Sequence, residues 1–154
     1  MTQPTSIILL LGQTGQLGEA LKRCLPRAGT VIATERIGER APLVDLANAD
    51  SIRHCVRAIR PDIVVNAAAY TAVDEAQIQT RFAQTVNATG PGILATELAA
   101  TGGLLIHYST DYVFDGKANR AYKPDDATAP VNAYGETKLA GENAIRQSGV
   151  DYLI

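Results

Sequence analysis

The stretch of sequence that decides the fold is residues 6–18, which read SIILLLGQTGQLG. The apolar run before Gly12 predicts a strand at 6–11 that a parallel sheet buries on both of its faces. Leu17, Leu21 and Leu25 then recur with helical spacing, and Pro26 ends that pattern. A buried strand, a glycine-rich loop and a helix in this order form the first part of a strand-helix-strand unit.

The same alternation of strands and helices continues along the rest of the chain. Further strands are predicted at 30–35, 42–46, 63–65, 104–109 and 151–154, and helices at 15–25, 50–59, 86–101 and 134–147. Asp50 is predicted to be the N-cap of the second helix. Successive parallel strands joined by helices give an α/β fold with a doubly wound, Rossmann-like sheet. At 154 residues the chain has the length of one domain.

Composition narrows the class of protein. With 46% hydrophobic and 19% charged residues, the chain is unlike disordered or fibrous proteins. A formal net charge of −2 gives no electrostatic reason to expect nucleic acid or an acidic membrane surface as a partner. The apolar run at 7–11 is far shorter than the roughly 20 residues of a membrane-spanning helix. We therefore predict a cytoplasmic protein with no nucleic-acid and no membrane partner.

Cysteine and acidic residues give little indication of a metal site. Cys24 and Cys55 stand apart from each other and from clustered histidines, so both are predicted to be free thiols buried within helices. Asp74 and Glu75 lack further ligands nearby and are interpreted as a solvated helix start. The sequence leaves a magnesium requirement open but does not support one.

The glycine-rich loop is the first motif that carries chemistry. In such a loop the first glycine permits a tight turn, the second lets the backbone approach a pyrophosphate, and the third lets the helix pack closely on the strand. The helix that follows offers free N–H groups to phosphate oxygens. We therefore predict dinucleotide binding by Gly12, Gln13, Thr14, Gly15, Gln16, Leu17 and Gly18.

Residues after the second and third predicted strands bear on the choice of cofactor. Glu35 is able to accept hydrogen bonds from the adenosine ribose hydroxyls of NADH, whereas Arg36 is able to pair with the 2′-phosphate of NADPH. Because both are present, NADPH and NADH stay open. Asp45 and Leu46 are candidates for contact with adenine, with a turn as the equal alternative.

The segment Asn66-Ala67-Ala68-Ala69-Tyr70-Thr71 leaves the carboxyl end of the next predicted strand. Ligands of doubly wound sheets bind at that edge, and three alanines leave room for a flat cofactor. The alternative is a tightly packed corner between strand and helix. In the context of the glycine loop we predict that Ala67, Ala68, Ala69, Tyr70 and Thr71 contact the cofactor.

A hydroxyl cluster and a Tyr-x-x-x-Lys pair suggest catalysis. Thr110 follows the strand predicted at 104–109, and Tyr134 and Lys138 lie four residues apart on one helix face. A nearby ammonium is expected to lower the pKa of the Tyr134 phenol, which would make it a proton donor near neutral pH. Thr110 is positioned to hydrogen-bond the same carbonyl oxygen. His107, between apolar neighbours, is predicted to be a core histidine.

The sequence resembles the extended short-chain dehydrogenase/reductases in four stretches, which lie at 9–18, 60–76, 107–116 and 126–142. STDYVFDG and YGETKLAGE are similar in particular to the branch of that family that acts on dTDP-4-dehydro-L-rhamnose. That branch often reads VDKAE where residues 73–77 here read VDEAQ, so the charge pattern beside the site differs. The strings are LLLGQTGQLG at 9–18, RPDIVVNAAAYTAVDEA at 60–76, HYSTDYVFDG at 107–116 and DATAPVNAYGETKLAGE at 126–142.

The resemblance implies a reaction and a set of site residues. The reaction is reduction of the 4-keto group of dTDP-4-dehydro-L-rhamnose by NADPH or NADH, giving dTDP-L-rhamnose for cell-surface polysaccharide. Thr110, Tyr134 and Lys138 are implied to be catalytic, and Thr110, Asp111 and Tyr112 to line the sugar site. The implied cofactor contacts are Gly15, Gln16 and Leu17 at the pyrophosphate, Asp45 and Leu46 at adenine, and Ala68, Ala69, Tyr70, Thr71, Tyr134 and Lys138 on the nicotinamide side.

The resemblance also implies an organisation beyond this chain. Members of the family are about twice as long, so residues 1–154 are expected to be the NAD(P)-binding domain, with a C-terminal substrate-binding part absent. A homo-oligomer that binds a nucleotide sugar is expected. Two alternatives stay open: another nucleotide-sugar epimerase, dehydratase or reductase of the superfamily, and a non-catalytic NADP-binding regulatory subunit resembling that of methionine adenosyltransferase.

Overall fold

A five-stranded parallel sheet forms the centre of the protein, in the strand order β2-β1-β3-β4-β5. The computed structural model describes residues 6–38 and 41–154. The order reverses between β1 and β3, so the sheet has a switch point there. The strands are β1 at Ile7–Leu11, β2 at Thr30–Ala33, β3 at Ile63–Asn66, β4 at Leu104–His107 and β5 at Asp151–Leu153. The prediction of a doubly wound, Rossmann-like sheet is confirmed.

Helices connect the strands and cover the sheet. The predicted helix at 86–101 is part of a longer stretch, since helical structure begins at Val73 and includes a π-helical segment at Thr85–Thr89. The α-helices are α1 at Gln16–Cys24, α2 at Ala49–Ile59, α3 at Val73–Ile78, α4 at Thr80–Gln84, α5 at Gly90–Ala99 and α6 at Ala133–Gln147. Within the described residues, no helix is long and apolar enough to cross a membrane.

Alternate residues of the strands are buried in two hydrophobic clusters. Leu9, Leu11, Val64 and Leu105 belong to the larger cluster, with side chains from α2, α5 and α6. Ile8, Leu10 and Val65 belong to the smaller one, together with Leu21 of α1. Because successive side chains of a strand point to opposite faces, the buried residues of β1, Ile8 to Leu11, alternate between the two clusters.

Three predictions about local structure are wrong. The segment 42–46 is not a strand, because only one isolated bridge, Glu35 to Leu43, joins it to the sheet edge, and Pro42 has no N–H to extend the ladder. The N-cap of helix α2 is Asn48 and not Asp50 as predicted, because the Asn48 side chain accepts hydrogen bonds from the N–H groups of Asp50 and Ser51, and the helix begins at Ala49. Cys55 is a buried free thiol as predicted, whereas Cys24 is exposed.

Candidate active site

A groove of about 1080 Å³ runs along the carboxyl ends of β1, β2 and β3, at the switch point of the sheet. Its size lies at the upper end of the range for small-molecule sites. Most of the predicted cofactor residues line it: Gly12, Gln13, Thr14, Gly15, Gln16, Glu35, Arg36, Asp45, Leu46, Ala67, Ala68, Ala69, Tyr70 and Thr71. Four predicted cofactor residues do not line it: Leu17, Gly18, Tyr134 and Lys138. Gly18 is buried against the loop, and Leu17 lies on the exposed side of α1.

The three glycines of the loop have different surroundings. Gly12 has a φ of +79°, and a Cβ there would lie 2.6 Å from the carbonyl carbon of Ala67. A Cβ on Gly18 would clash with the carbonyl oxygen of Gly12, so this glycine allows α1 to approach the loop. A Cβ on Gly15 would meet only the Gly12 oxygen, at 3.5 Å, and would otherwise point into open space.

Helix α1 begins at this loop with its first N–H groups available. Gly15 is its N-cap and has no side chain to accept their hydrogen bonds. Uncapped N–H groups at the start of a helix, together with the helix dipole, attract phosphate oxygens. With the open space at Gly15, they form an arrangement that fits the pyrophosphate of a dinucleotide.

The groove is also lined by residues that the sequence did not single out. Thr34, Ile37, Val44, Phe82 and Val86 line it, and the Tyr70 and Phe82 rings meet edge to face with centroids 5.7 Å apart. Phe82 and Val86 lie on the helical stretch after β3, far in sequence from the loop. An apolar residue in a helical pattern looks the same in sequence whether it lies in the core or lines a groove, so the sequence did not distinguish Phe82 and Val86.

The position of Asp45 is compatible with both alternatives that the sequence left open, a turn residue and a contact with adenine. Its carboxylate accepts a hydrogen bond from the N–H of Ala47, at 2.9 Å, which stabilises a local turn. Asp45 and Leu46 also line the groove. Glu35 and Arg36 both line the groove, so the geometry leaves the choice between NADPH and NADH open.

The candidate catalytic residues lie at the next position along the same sheet edge, after β4. Thr110 precedes a short 3₁₀ turn at Asp111–Val113, and its hydroxyl oxygen accepts a hydrogen bond from the N–H of Tyr112. Helix α6 approaches this turn at Gly135, where a Cβ would clash with the carbonyl oxygen of Tyr112. That close approach brings the Tyr134 ring edge to face against Tyr112, with centroids 5.6 Å apart.

The expectation that Lys138 lowers the pKa of Tyr134 is wrong in this structure. The Lys138 amine donates to the carbonyl oxygen of Tyr108, at 2.6 Å, and so is directed at the end of β4. Burial is the largest influence on the pKa of Tyr134 and raises it, while a hydrogen bond with Thr110 acts in the opposite direction. The phenol therefore keeps its proton near neutral pH.

Lys138 is itself buried, with 1% of its surface exposed. Burial lowers its pKa to about 8, and the nearby Glu142 carboxylate acts in the opposite direction. Glu142 in turn accepts hydrogen bonds from Ser109 and, at 2.8 Å, from Arg146. His107 is a buried core histidine, as predicted, and contacts Asn66 and Lys138.

Asn87 holds the groove and helix α6 together, and the sequence did not single it out. Its side-chain oxygen accepts from the N–H of Tyr70 at 2.8 Å, and its amide donates to the Tyr70 carbonyl at 3.0 Å and to Thr137 at 3.1 Å. It lies in the π-helical segment Thr85–Thr89 and is 1% exposed. π-Helical turns are frequent at functional sites.

No metal centre is evident. In residues 6–38 and 41–154, no group of three or more His, Cys, Asp or Glu side chains is placed to hold a metal ion. Asp74 and Glu75 lie exposed in the first turn of α3, as a solvated helix start does.

A glycine loop at the switch point of a parallel sheet, with a Tyr-x-x-x-Lys helix after β4, places the molecule in the Rossmann-like class of doubly wound α/β proteins. The chain belongs to the RmlD substrate binding domain family, which it matches over residues 6–154. It is 47% identical over 147 residues to dTDP-4-dehydrorhamnose reductase of Escherichia coli K12, covering 96% of this chain and 49% of that protein.

Other relatives agree with this assignment. The chain is 38% identical over 147 residues to the spore coat polysaccharide biosynthesis protein SpsK of Bacillus subtilis, covering 96% of this chain and 50% of that protein. Its fold is similar to a crystal structure of dTDP-4-dehydrorhamnose reductase from Bacillus anthracis in complex with NADP, with a TM-score of 0.89 and 32% identity. That match covers 96% of this chain and 51% of the other. The chain therefore spans about half the length of the relatives it matches, and the predicted resemblance is confirmed.

Proposed function

We propose that the chain forms the dinucleotide-binding and catalytic half of a reductase that uses NADPH or NADH to reduce the 4-keto group of dTDP-4-dehydro-L-rhamnose. The observation that carries the proposal is the placement of Thr110, Tyr134 and Lys138 at the same sheet edge as the groove. The relatives named dTDP-4-dehydrorhamnose reductase support the substrate, and the NADP bound by the Bacillus anthracis relative supports the cofactor. The remaining substrate-binding part belongs to the half that these relatives have in addition.

The cofactor, when bound, supplies a hydride to the sugar carbonyl carbon. The chain's own residues then have three tasks. Tyr134, which keeps its proton because burial raises its pKa, donates that proton to the carbonyl oxygen. The Thr110 hydroxyl hydrogen-bonds the same oxygen and orients it. Lys138, whose amine donates to the Tyr108 carbonyl, would contact the nicotinamide ribose. The groove would hold the adenine and pyrophosphate, and Arg36 in its lining would supply a cation for a 2′-phosphate.

The proposal is tested by joining this chain to the remaining half of the Escherichia coli relative. We expect the joined protein to oxidise NADPH when dTDP-4-dehydro-L-rhamnose is added and to release dTDP-L-rhamnose. Cofactor binding without any turnover would favour the regulatory-subunit alternative. Conversion of a different nucleotide sugar, without net oxidation of NADPH, would favour an epimerase or a dehydratase.

Tyr134→Phe is the sharpest variant for this test. Because it removes only the proton donor, kcat should fall by roughly 10²–10⁴-fold while NADPH affinity and thermal stability stay unchanged. Tyr152→Phe is the matched control, since Tyr152 lies on the exposed edge strand β5. A kcat within threefold of the unsubstituted protein would exclude Tyr134 as the acid.

A further inference from the structure

A chain of buried polar contacts connects the groove to Lys138. The N–H of Ala68, a groove residue, donates to Asn66 Oδ1 at 3.1 Å. Asn66 Nδ2 lies 3.0 Å from His107 Nδ1, and His107 Nε2 lies 3.4 Å from Lys138 Nζ. The three side chains are 1%, 3% and 1% exposed, respectively. At this depth, each polar atom depends on its neighbour for a hydrogen bond.

The backbone sets the direction of every hydrogen bond in this chain. The Ala68 N–H is only a donor, so the atom of Asn66 that faces it must be the oxygen. The atom that faces His107 is then the Asn66 amide nitrogen, which is only a donor as well. His107 Nδ1 must accept and therefore carries no proton.

The ring proton of His107 is consequently on Nε2. Burial, with the nearby charge of Lys138, lowers the pKa of His107 to about 3, so the ring is neutral near pH 7 and carries one proton. With Nδ1 unprotonated, Nε2–H faces the Lys138 amine. An ammonium group has no lone pair to accept this hydrogen bond, whereas a neutral amine has one.

We propose that His107 is a positioning residue for Lys138: Asn66 holds its ring in the Nε2–H form, and that N–H favours the neutral amine of Lys138. The lysine keeps its own donation to the Tyr108 carbonyl, at 2.6 Å, in either charge state. Glu142, one turn along α6, acts in the opposite direction by favouring the ammonium. Both oxygens of Glu142 are engaged by Ser109 and Arg146, and Tyr134 lies one turn away on the other side.

This arrangement makes the charge of Lys138 depend on the backbone of the groove. The link from Ala68 through Asn66 and His107 is one hydrogen-bonded route between the two parts of the site. The ring form and the charge state follow from the protein alone. Only their use in catalysis rests on the proposed function, in which Lys138 contacts the nicotinamide ribose.

Nuclear magnetic resonance of this chain, labelled with ¹⁵N-histidine and with ¹³C at the lysine ε carbons, tests the proposal without cofactor or substrate. A protonated and an unprotonated ring nitrogen have distinct ¹⁵N shifts. We expect Nε2 of His107 to be protonated and Nδ1 to be unprotonated from pH 5 to pH 9. We expect the Lys138 amine to titrate near pH 8. A proton on Nδ1, or a Lys138 midpoint at the ordinary lysine value, would overturn the proposal.

Asn66→Asp should reverse the donor and acceptor roles of the two His107 ring nitrogens. A carboxylate still accepts from the Ala68 N–H but now requires a proton on His107 Nδ1, so Nε2 accepts from the Lys138 ammonium. We expect the ring form to reverse and the pKa of Lys138 to rise by at least about one pH unit. Asn143→Asp, at an exposed position of α6, adds the same charge away from the ring and should change neither quantity much.

The ring form separates the proposed effect from simple charge attraction. A higher Lys138 pKa in Asn66→Asp with an unchanged ring form would refute the role given to His107. If circular dichroism shows that Asn66→Asp does not fold, the measurement on the unsubstituted chain still decides, because it reads the ring form directly. Since neither measurement involves turnover, a negative result here leaves the proposed reaction standing.

Discussion

At the scale of single residues, the three glycines of the loop differ in what requires a glycine. The backbone requires it at Gly12 and Gly18, whereas at Gly15 only a bound ligand would require it. Gly12 has a positive φ, and Gly18 allows the close approach of α1, so both serve the fold. Gly15 has extended backbone angles, φ −78° and ψ 167°, that any residue adopts, and open space beyond its Cα. A side chain at Gly15 should therefore affect a bound cofactor and leave the fold intact.

Gly15→Val tests this distinction. In the joined protein we expect at least a tenfold loss of NADPH affinity, about 1.4 kcal/mol, because the branched side chain occupies the space of the pyrophosphate. The thermal midpoint should stay within a degree or two. Gly18→Ala is the contrasting variant and should lower the thermal midpoint, because its Cβ clashes with the Gly12 carbonyl. Unchanged affinity of Gly15→Val in a fluorescence titration would refute the assignment of the loop.

At the scale of elements, the π-helical segment Thr85–Thr89 and helix α6 hold the two parts of the site in register. Asn87 joins them through three hydrogen bonds to Tyr70 and Thr137. Lys138, on the same helix, contacts the end of β4. Asn87 and Lys138 are both buried, so loss of their hydrogen bonds should have a measurable effect on stability.

Asn87→Leu keeps the number and branching of the side-chain heavy atoms and removes the polar ones. The N–H and C=O of Tyr70 lose their partner, so the free energy of unfolding should fall by about 2–4 kcal/mol. Urea unfolding of this chain, followed by circular dichroism, measures the change. Asn143→Leu, at an exposed position of the neighbouring helix, is the control and should change stability by less than about 0.5 kcal/mol. Equal effects of the two variants would contradict the bridging role of Asn87.

The buried Lys138 predicts a dependence of stability on pH. Its pKa is about 8 in the folded chain and 10.5 in the reference state. Between these values the unfolded chain binds a proton that the folded chain does not, so stability due to this residue rises with pH. Relative to Lys138→Met, the unsubstituted chain should gain on the order of 1 kcal/mol per pH unit between pH 8 and pH 9.5. A difference that stays flat in this window would contradict the lowered pKa.

At the scale of the whole molecule, the sheet ends in an exposed edge. Every residue of β5 is exposed, including Tyr152 at 43% and Leu153 at 61% of their surfaces. A strand with unpaired backbone groups and apolar side chains is a template for association with another chain. The surface at β5 thus differs from the opposite edge, where Glu35, two residues beyond β2, forms a bridge with Leu43.

We expect the 154-residue chain by itself to self-associate, to bind a dinucleotide weakly and to show no turnover of dTDP-4-dehydro-L-rhamnose. Analytical ultracentrifugation over a range of concentrations measures the association. Leu153→Lys should weaken it by placing a charge on the edge, whereas Ile78→Lys, at an even more exposed position on α3, should leave it unchanged. Steady-state turnover by a monomeric 154-residue chain would contradict the proposed division of the site between two halves.

The sequence by itself determined the strand-loop-helix start, the alternation that follows and the candidate residues, because these depend on local patterns of apolar, glycine and hydroxyl residues. It did not determine that 42–46 stays outside the sheet. Whether that apolar segment pairs fully with a strand, or only through the single bridge between Glu35 and Leu43, depends on the tertiary structure. Only the tertiary structure showed that Asn87 joins Tyr70 to α6 and that Phe82 lines the groove. The direction of the Lys138 amine was likewise decided in three dimensions. Spacing of four residues placed it beside Tyr134 on the helix, but burial against β4 turned it toward Tyr108 and His107, where its hydrogen-bond partners are.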